Sequence, residues 1–153
     1  MAITIDYYIM NWMTKRKQHK ELCASLEQHS VAELKEMVYQ LDKDYYSRYF
    51  TEHPGAINKH MPPGVVRACL RCLKENIEKV NKIIKKHHND VATMVYAIGL
   101  VVGNQLIQNG TVNSMTAVFT LLMYLAKVGL DKYLADSIDS PDNTSDEGKG
   151  DTK

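Results

Sequence analysis

A chain of 153 residues is long enough for one domain with a sizeable core, and its 44% apolar and 24% charged residues are ordinary for a globular protein. From Asp139 onward, five acids and two lysines give a net charge of −3. Since the whole chain has a formal net charge of +1, the preceding part carries +4, which is too little to indicate nucleic-acid binding. The three cysteines are too few for a disulfide framework, and the N-terminal segment lacks the charge order of a signal peptide. We therefore expect an intracellular protein.

The N-terminal segment predicts an amphipathic helix that ends in a basic run. Its large apolar residues recur at helical spacing, and Leu22 and Leu26 extend the same line further along the chain. Because the helix dipole stabilises cations near a C-terminus, an exposed helix end explains the run better than a membrane or nucleic-acid patch. The apolar residues are Ile5, Tyr8, Ile9 and Trp12, and the basic run is Lys15-Arg16-Lys17.

A capping box predicts the start of the second helix. Ser30 and Glu33 have the S-x-x-E spacing in which each side chain bonds the backbone N–H of the other residue. The helix should end before Pro54-Gly55. Its last turns carry more aromatic residues than one buried stripe requires, so they could either pack in the core or line a binding groove. The stripe comprises Leu34, Met37, Val38, Leu41, Tyr45 and Tyr49, and Tyr46 and Phe50 complete the aromatic cluster.

Prolines and glycines predict a loop from His53 to Gly64, with Ile57 and Met61 as its large apolar anchors. The helix that follows, from Val65 to about Lys86, is the most regular in the chain. Its apolar residues repeat every three to four positions and form a narrow seam, which suits packing against one partner helix or one core face. The seam residues are Val66, Leu70, Leu73, Ile77, Val80 and Ile84.

The stretch from Val91 to Ile107 contains no charged side chain and predicts a helix that is apolar on almost every face. Such a helix must lie in lipid or among other helices. It should be roughly 25 Å long, slightly short for a bilayer core of about 30 Å, and Asn104 and Gln105 lie near its end. A second very apolar helix, from Met115 to Val128, follows after one turn, so we expect a buried central hairpin.

Local signals define the ends and the packing of this hairpin. Gly129 either terminates the second helix or kinks it toward Leu130–Ala135. Gly99 and Gly103 form a G-x-x-x-G pattern, which in a soluble protein most simply lets a bulky neighbour pack closely. Candidate N-caps are Asn89 or Asp90 for the first helix and Asn113 or Ser114 for the second.

The composition changes beyond Ser137 to Ser, Asp, Gly, Pro and Thr, which predicts a disordered acidic tail over residues 138–153. No strand pattern or internal repeat precedes this tail. We therefore expect one all-α domain over residues 1–137, a globular bundle of six to eight helices around a central apolar helical hairpin.

No residue pattern indicates a catalytic site, a metal site or a cofactor. Cys69-Leu-Arg-Cys72 has C-x-x-C spacing, but Cys23 and the histidines stand at no recognised zinc-ligand spacing from it. A thioredoxin-type role would need the pair at a helix N-terminus in a βαβ unit. Nucleophile-elbow, zinc-protease and P-loop patterns are absent from the sequence. We expect a protein that is not an enzyme, with an enzyme or metal protein on a helical bundle as the remaining alternative.

The order of these elements resembles the Bcl-2 family of apoptosis regulators over about residues 3 to 137. Within the segment Gln40–Tyr49, Asp44, Tyr45, Arg48 and Tyr49 match the end of the family's homology-3 helix, whereas Asp42-Lys43 replaces its Gly-Asp. Tyr8–Met13 looks like the homology-4 helix, and Leu122–Asp136 looks like the sixth helix running into the homology-2 segment. The short length, the divergence and the lack of a C-terminal anchor look most like a viral Bcl-2 homologue encoded by a large DNA virus.

The sequence departs from this family at the homology-1 site. The family usually has Asn-Trp-Gly-Arg at the start of the central helix, where this chain has Asp90-Val91-Ala92-Thr93. Ala92 keeps the small residue, but Thr93 lacks the guanidinium that pairs with an aspartate of the ligand. A charged hydrogen bond of that kind contributes roughly 1.5–3 kcal/mol, so we expect weaker or narrower binding. Candidate replacements for the cation are Lys85, Lys86 and Arg48.

The resemblance implies an apoptosis inhibitor that binds pro-apoptotic Bcl-2 proteins through their amphipathic death-ligand helix. The hydrophobic groove would lie between the second helix, the helix that begins at Val65 and the central helix. The resemblance also implies a host cytoplasmic location, with peripheral attachment at mitochondria, no nucleic-acid partner and no transmembrane anchor; a homodimer is compatible with it. By carry-over the groove residues are Tyr45, Arg48, Tyr49, Val80, Ile84, Ala92, Thr93 and Tyr96, and core packing is the alternative role for each.

A rival interpretation keeps the fold and discards the groove. Some viral Bcl-2-like proteins modulate host innate immune signalling through other surfaces, often as dimers. The poor homology-1 match and the narrow seam of the helix that begins at Val65 favour this alternative.

Overall fold

The computed structural model describes residues 2–55 and 64–129, and these residues form six α-helices and no strand. The expected all-α bundle is confirmed at this level. The disordered tail, the domain boundary at 137, the anchors Ile57 and Met61, and the continuation over Leu130–Ala135 lie outside the described residues. The helices are α1 (Ala2–Glu27), α2 (Val31–Glu52), α3 (Val65–Glu75), α4 (Ile77–His87), α5 (Val91–Gln108) and α6 (Met115–Val128).

The antiparallel pair α5 and α6 forms the centre of the bundle, as the apolar hairpin predicts. Phe119 of α6 is fully buried and stacks on Tyr96 of α5, with ring centroids 6.0 Å apart. The helix α1 packs against both α5 and α6, α2 packs against α6 and α3, and the pair α3–α4 covers another side of α5. Apolar side chains on these facing surfaces account for the core because their burial is the main favourable term in folding.

Side-chain caps begin three of the helices at the positions that the sequence predicts. Ser30 and Glu33 form the complete capping box of α2. The Asp90 carboxylate accepts from the Thr93 N–H at the start of α5, and the Ser114 hydroxyl accepts from the Ala117 N–H at the start of α6. Each cap pairs a backbone donor that the helix itself leaves free.

The predicted single helix from Val65 to about Lys86 is wrong. The structure breaks it at Asn76, whose backbone (φ −119°, ψ 29°) leaves the helical region and separates α3 from α4. The Asn76 side-chain amide donates to the Cys72 carbonyl at 2.9 Å, a local bond that competes with a continuous helix. The apolar seam continues across the break, which is why the periodicity alone hides it.

One helix among the described residues, Val91–Gln108, is long and apolar enough to cross a membrane by length and composition. In the fold it is the central helix, and helices α1, α3, α4 and α6 all pack against it. A core helix passes the same test of length and composition as a membrane span, so the test does not distinguish the two.

Candidate functional site

The structure separates the predicted groove residues into two groups. Tyr45, Arg48 and Tyr49 lie near the turn that follows α5, and the others lie on α4 or at the start of α5. At a rise of 1.5 Å per residue, the two ends of α5 are roughly 25 Å apart. The second group consists of Val80, Ile84, Ala92, Thr93 and Tyr96.

Arg48 connects α2 to the turn between α5 and α6. Its Nη1 donates to the Gly110 carbonyl at 2.9 Å, and its Nη2 lies 3.4 Å from the Thr111 carbonyl. Its Nε also pairs with the Asp44 carboxylate at 2.9 Å. Because these contacts occupy the guanidinium in a structural role, Arg48 does not supply the cation that Thr93 lacks.

Tyrosine rings surround Arg48 at this end of α2. Tyr49 stacks on His53 with ring centroids 4.4 Å apart, and Tyr45 contacts both Tyr46 and Tyr49. Burial raises the pKa of the Tyr45 hydroxyl, which therefore stays neutral and can only donate or accept hydrogen bonds at physiological pH. A cavity of about 200 Å³ opens here, too small for most ligand sites. Its lining is Tyr45, Arg48, Tyr49, Glu52, His53, Asn109 and Gly110.

The second group begins at the N-terminus of α5. The Thr93 hydroxyl donates to Asp90 Oδ2 at 2.6 Å, and the Thr93 N–H donates to Asp90 Oδ1 at 3.2 Å. These bonds favour the ionised carboxylate and lower the pKa of Asp90. The position that carries a cation in the Bcl-2 family is therefore next to an anion in this chain.

The remaining members of the second group differ in exposure. Val80 is fully buried and Tyr96 is 8% exposed, so both belong to the core. Ala92 and Ile84 are half-buried beside the junction of α4 and α5, where a ligand could touch them. Lys20 of α1 lies over the Tyr96 ring, with its Nζ 5.5 Å from the ring centroid.

Leu100 is the surface residue that the sequence interpretation missed. It is 59% exposed in the middle of a helix whose other large side chains are mostly buried. Thr93, Ala97 and Leu100 share one face because they are spaced by four and three residues. At 100° per residue this face lies between Tyr96, which contacts α1, and Gln105, whose amide donates to Glu75 of α3 at 2.6 Å. Mean hydropathy could not reveal this face. The sequence signal for it is the polar residue Asn104, which lies four residues beyond Leu100 on the same face and is exposed.

The cysteines belong to the interior. All three are free and buried, and burial raises the pKa of Cys23 to about 12 and that of Cys72 to about 11. Such thiols are protonated at neutral pH and are poor nucleophiles and metal ligands. Among the described residues, no three His, Cys, Asp or Glu side chains cluster as a metal site would require.

Comparisons of the chain with protein-family models, curated proteins and solved structures give no match. The structure establishes an all-α bundle of six helices over the described residues, with one large apolar side chain, Leu100, exposed on its central helix. The relation to the Bcl-2 family rests on the sequence resemblance and stays a prediction.

Proposed function

We propose that the protein inhibits apoptosis by sequestering the amphipathic death-ligand helix of pro-apoptotic Bcl-2 proteins. The observation that carries the proposal is Leu100, which is 59% exposed on the central helix. A partner helix lying along the face of Thr93, Ala97 and Leu100 would cover this side chain with its own apolar stripe. Half-buried Ala92 and Ile84 would border the ligand near the start of α5.

The charges near Thr93 favour a ligand that binds mainly through apolar contacts. Asp90 is exposed and held in its ionised form by Thr93, so it would repel a ligand aspartate rather than attract it. Arg48 is bound to the Gly110 carbonyl at the far end of α5. Lys85 and Lys86 remain candidate cations, since both are exposed at the end of α4, and a loss of affinity at high salt concentration would indicate that one of them pairs with the ligand.

A panel of fluorescent death-ligand peptides tests the proposal by polarisation. At least one peptide should bind with a Kd below about 10 μM, which corresponds to roughly −7 kcal/mol. Leu100→Glu should weaken that binding about 10- to 100-fold, because burial of a leucine contributes about 1.5–3 kcal/mol. The matched control is Val31→Glu, since Val31 is 41% exposed at the start of α2, away from this face.

Two results would contradict the proposal at different levels. If no peptide of the panel binds below about 10 μM, the ligand class is wrong. If a peptide binds and Leu100→Glu leaves its Kd unchanged, the ligand class survives and the α5 face is wrong.

The second candidate is modulation of host innate immune signalling through another surface of a viral Bcl-2-like protein. Large apolar side chains exposed on α1, outside the α5 face, favour it: Met10 is 67% and Trp12 is 61% exposed. A cell-based innate signalling reporter separates the two candidates. Suppression of the reporter by both the wild-type protein and Leu100→Glu, together with no peptide binding, would support this alternative.

A further inference from the structure

The part of α1 from Ile9 to Met13 presents its apolar side chains to solvent. Every described side chain from residue 9 to residue 18 is exposed, whereas the second half of the helix packs on α5 and α6. The exposed fractions are large for apolar side chains: Ile9 51%, Met10 67%, Trp12 61% and Met13 57%.

The two halves of α1 have apolar faces that point in different directions. The half that packs on the core does so through His19, Leu22, Cys23 and Leu26, whereas Ile9 and its neighbours centre on a face about 110° away at 100° per residue. The apolar residues of the first half therefore do not continue the core stripe, and the expectation of one continuous line to Leu22 and Leu26 is wrong. The basic run also lies inside α1, which extends to Glu27, so a helix C-terminus does not explain it. They form a separate surface, and the core of this fold does not cover it.

Cations follow the apolar residues on the same face of α1. Arg16, Lys17 and Lys20 lie one to two turns beyond Trp12 and Met13, and the Arg16 guanidinium is 5.5 Å from the Trp12 ring centroid. From residue 9 to residue 20 the chain has four Lys or Arg side chains and no acid. The opposite face carries Asn11, Thr14 and Gln18.

A concavity of about 440 Å³ opens against this face of α1. Its apolar lining includes Trp12 and Met13, and its charged lining has three cations against the single acid Glu21, so it suits an anionic amphiphile. The described residues that line it are Trp12, Met13, Arg16, Lys17, Lys20, Glu21 and Ala24.

We infer that the first half of α1 attaches the protein to anionic lipid bilayers. The part of α1 with Ile9, Met10 and Trp12 enters the interface between headgroups and acyl chains, where indole rings are favoured. Arg16 and Lys17 then lie at the depth of the lipid phosphates, since the cations follow the apolar residues along one face. Attachment of this kind is peripheral and depends on the charge of the surface.

A second copy of the chain fits this surface less well. A parallel pairing of two α1 helices through this face would bring Arg16, Lys17 and Lys20 of both copies together, and like charges repel. A stable protein interface also needs about 20–30 residues a side, and among the side chains of α1 that the structure describes, four large apolar ones are exposed.

The experiment uses the full chain with vesicles of phosphatidylcholine alone and of phosphatidylcholine with about 30% phosphatidylserine. Trp12 is the single tryptophan of the protein, so its emission reports directly on this surface. We expect co-sedimentation and a blue-shifted emission with the anionic vesicles only, and a loss of at least about 10-fold in binding at 0.5 M salt because screening weakens charge attraction.

Paired variants locate the binding on α1. Arg16→Glu/Lys17→Glu and Met10→Glu/Met13→Glu should each reduce vesicle binding about 10-fold or more, since each removes one of the two attractions. Lys82→Glu/Lys86→Glu, which changes two exposed cations of α4, is the control for net charge and should retain most of the binding. Circular dichroism of each variant checks that the helices are intact.

Three outcomes would overturn the inference. They are the absence of any emission change with anionic vesicles, equal binding to neutral and anionic vesicles, and equal losses in the α1 and α4 charge variants. Self-association of the lipid-free protein that Met10→Glu/Met13→Glu abolishes would assign the surface to a second copy and also overturn it. Leu100→Glu should bind vesicles normally, so this test and the peptide test fail independently.

Discussion

Substitution of Gly99 by alanine tests how the central hairpin is packed. A Cβ atom at Gly99 would come within 2.8 Å of Phe119 Cδ1 and closer still to Cε1, far inside normal contact distance. Phe119 is fully buried against Tyr96, so its ring cannot move away without disturbing the core. Overpacking of this kind typically costs about 1–3 kcal/mol, whereas replacing glycine by alanine inside a helix contributes about 1 kcal/mol. We expect Gly99→Ala to lower the free energy of unfolding by up to about 2 kcal/mol.

Gly103→Ala is the matched control, one turn further along α5. Its Cβ would meet Met115 Sδ at 2.7 Å and Cε at 2.9 Å, but these atoms are the far end of a flexible, half-buried side chain. Met115 can shift at little cost, so the gain in helix propensity should dominate. We expect Gly103→Ala to be neutral or to raise the free energy of unfolding by up to about 1 kcal/mol.

Urea unfolding followed by circular dichroism measures both variants. A double-mutant cycle with Phe119→Leu identifies the contact, because removal of the ring should turn the loss in Gly99→Ala into a gain and give a coupling of about 1–3 kcal/mol, the overpacking cost itself. Equal stabilities for Gly99→Ala and Gly103→Ala would refute the reasoning. They would mean that Phe119 repacks freely and that a close approach of the two helices does not require glycine at position 99.

Two further predictions concern the attachments of α2. Arg48→Met should lower the free energy of unfolding by about 1–2 kcal/mol in the same urea assay, because the Gly110 carbonyl loses a charged donor, and Asp44→Asn should change it by less than about 0.5 kcal/mol because that carboxylate is half exposed. Equal effects of the two would assign the contribution to the ion pair instead. Hydrogen bonds with Ser30 lower the pKa of Glu33 below its ordinary value of 4.5, and the bond from the Ser30 backbone N–H has the largest effect. The cap therefore stabilises the fold fully above that ordinary pKa and loses its charged form as the pH falls through the folded pKa. The difference in Tm between the wild type and Glu33→Gln, which keeps the hydrogen bond but does not titrate, should shrink from pH 7 to pH 3, and a constant difference would contradict this.

Local signals in the sequence predict most of the helix ends. Ser30, Asp90 and Ser114 each cap the predicted helix because their short polar side chains reach a free backbone N–H two or three residues ahead. Gly129 ends α6 in the left-handed conformation (φ 112°), where glycine carries no steric penalty. These features depend on neighbouring residues only, so the sequence contains all the information that they require.

Features that depend on contacts between distant segments are the ones that the sequence interpretation misses. The break at Asn76 involves Gln105 of α5, whose amide oxygen lies 3.4 Å from the Asn76 Nδ2. Asp42 of α2 accepts from the Val65 N–H at 2.8 Å and so caps α3 from another helix. That bond gives Asp42 a structural role at a position where the Bcl-2 pattern has a glycine, and periodicity along one helix cannot reveal such a contact.

The site residues show the same limit. Hydropathy identifies α5 as a core helix but cannot tell which of its apolar residues remain uncovered, because that depends on where α1 and α3 pack. Tyr96 and Leu100 are both apolar residues of α5, yet Tyr96 is 8% exposed and Leu100 is 59% exposed. The residues carried over from the family omit Leu100 and include Val80 and Tyr96, which the fold buries.

Leu100 of α5 and the α1 residues from Ile9 to Met13 expose apolar side chains in different chemical surroundings, and we propose different partners for them. Leu100 has uncharged Thr93 and Ala97 on its own face and the anion Asp90 at the start of the helix, which suits a partner helix that binds mainly through its apolar stripe. The apolar residues of α1 from Ile9 to Met13 are followed on the same face by cations, which suits an anionic surface. A protein attached to a membrane through α1 would search for membrane-bound partners within a thin layer, where their effective concentration is higher than in solution. Weak apolar binding on α5 without a groove arginine would then be sufficient to hold a partner at that membrane.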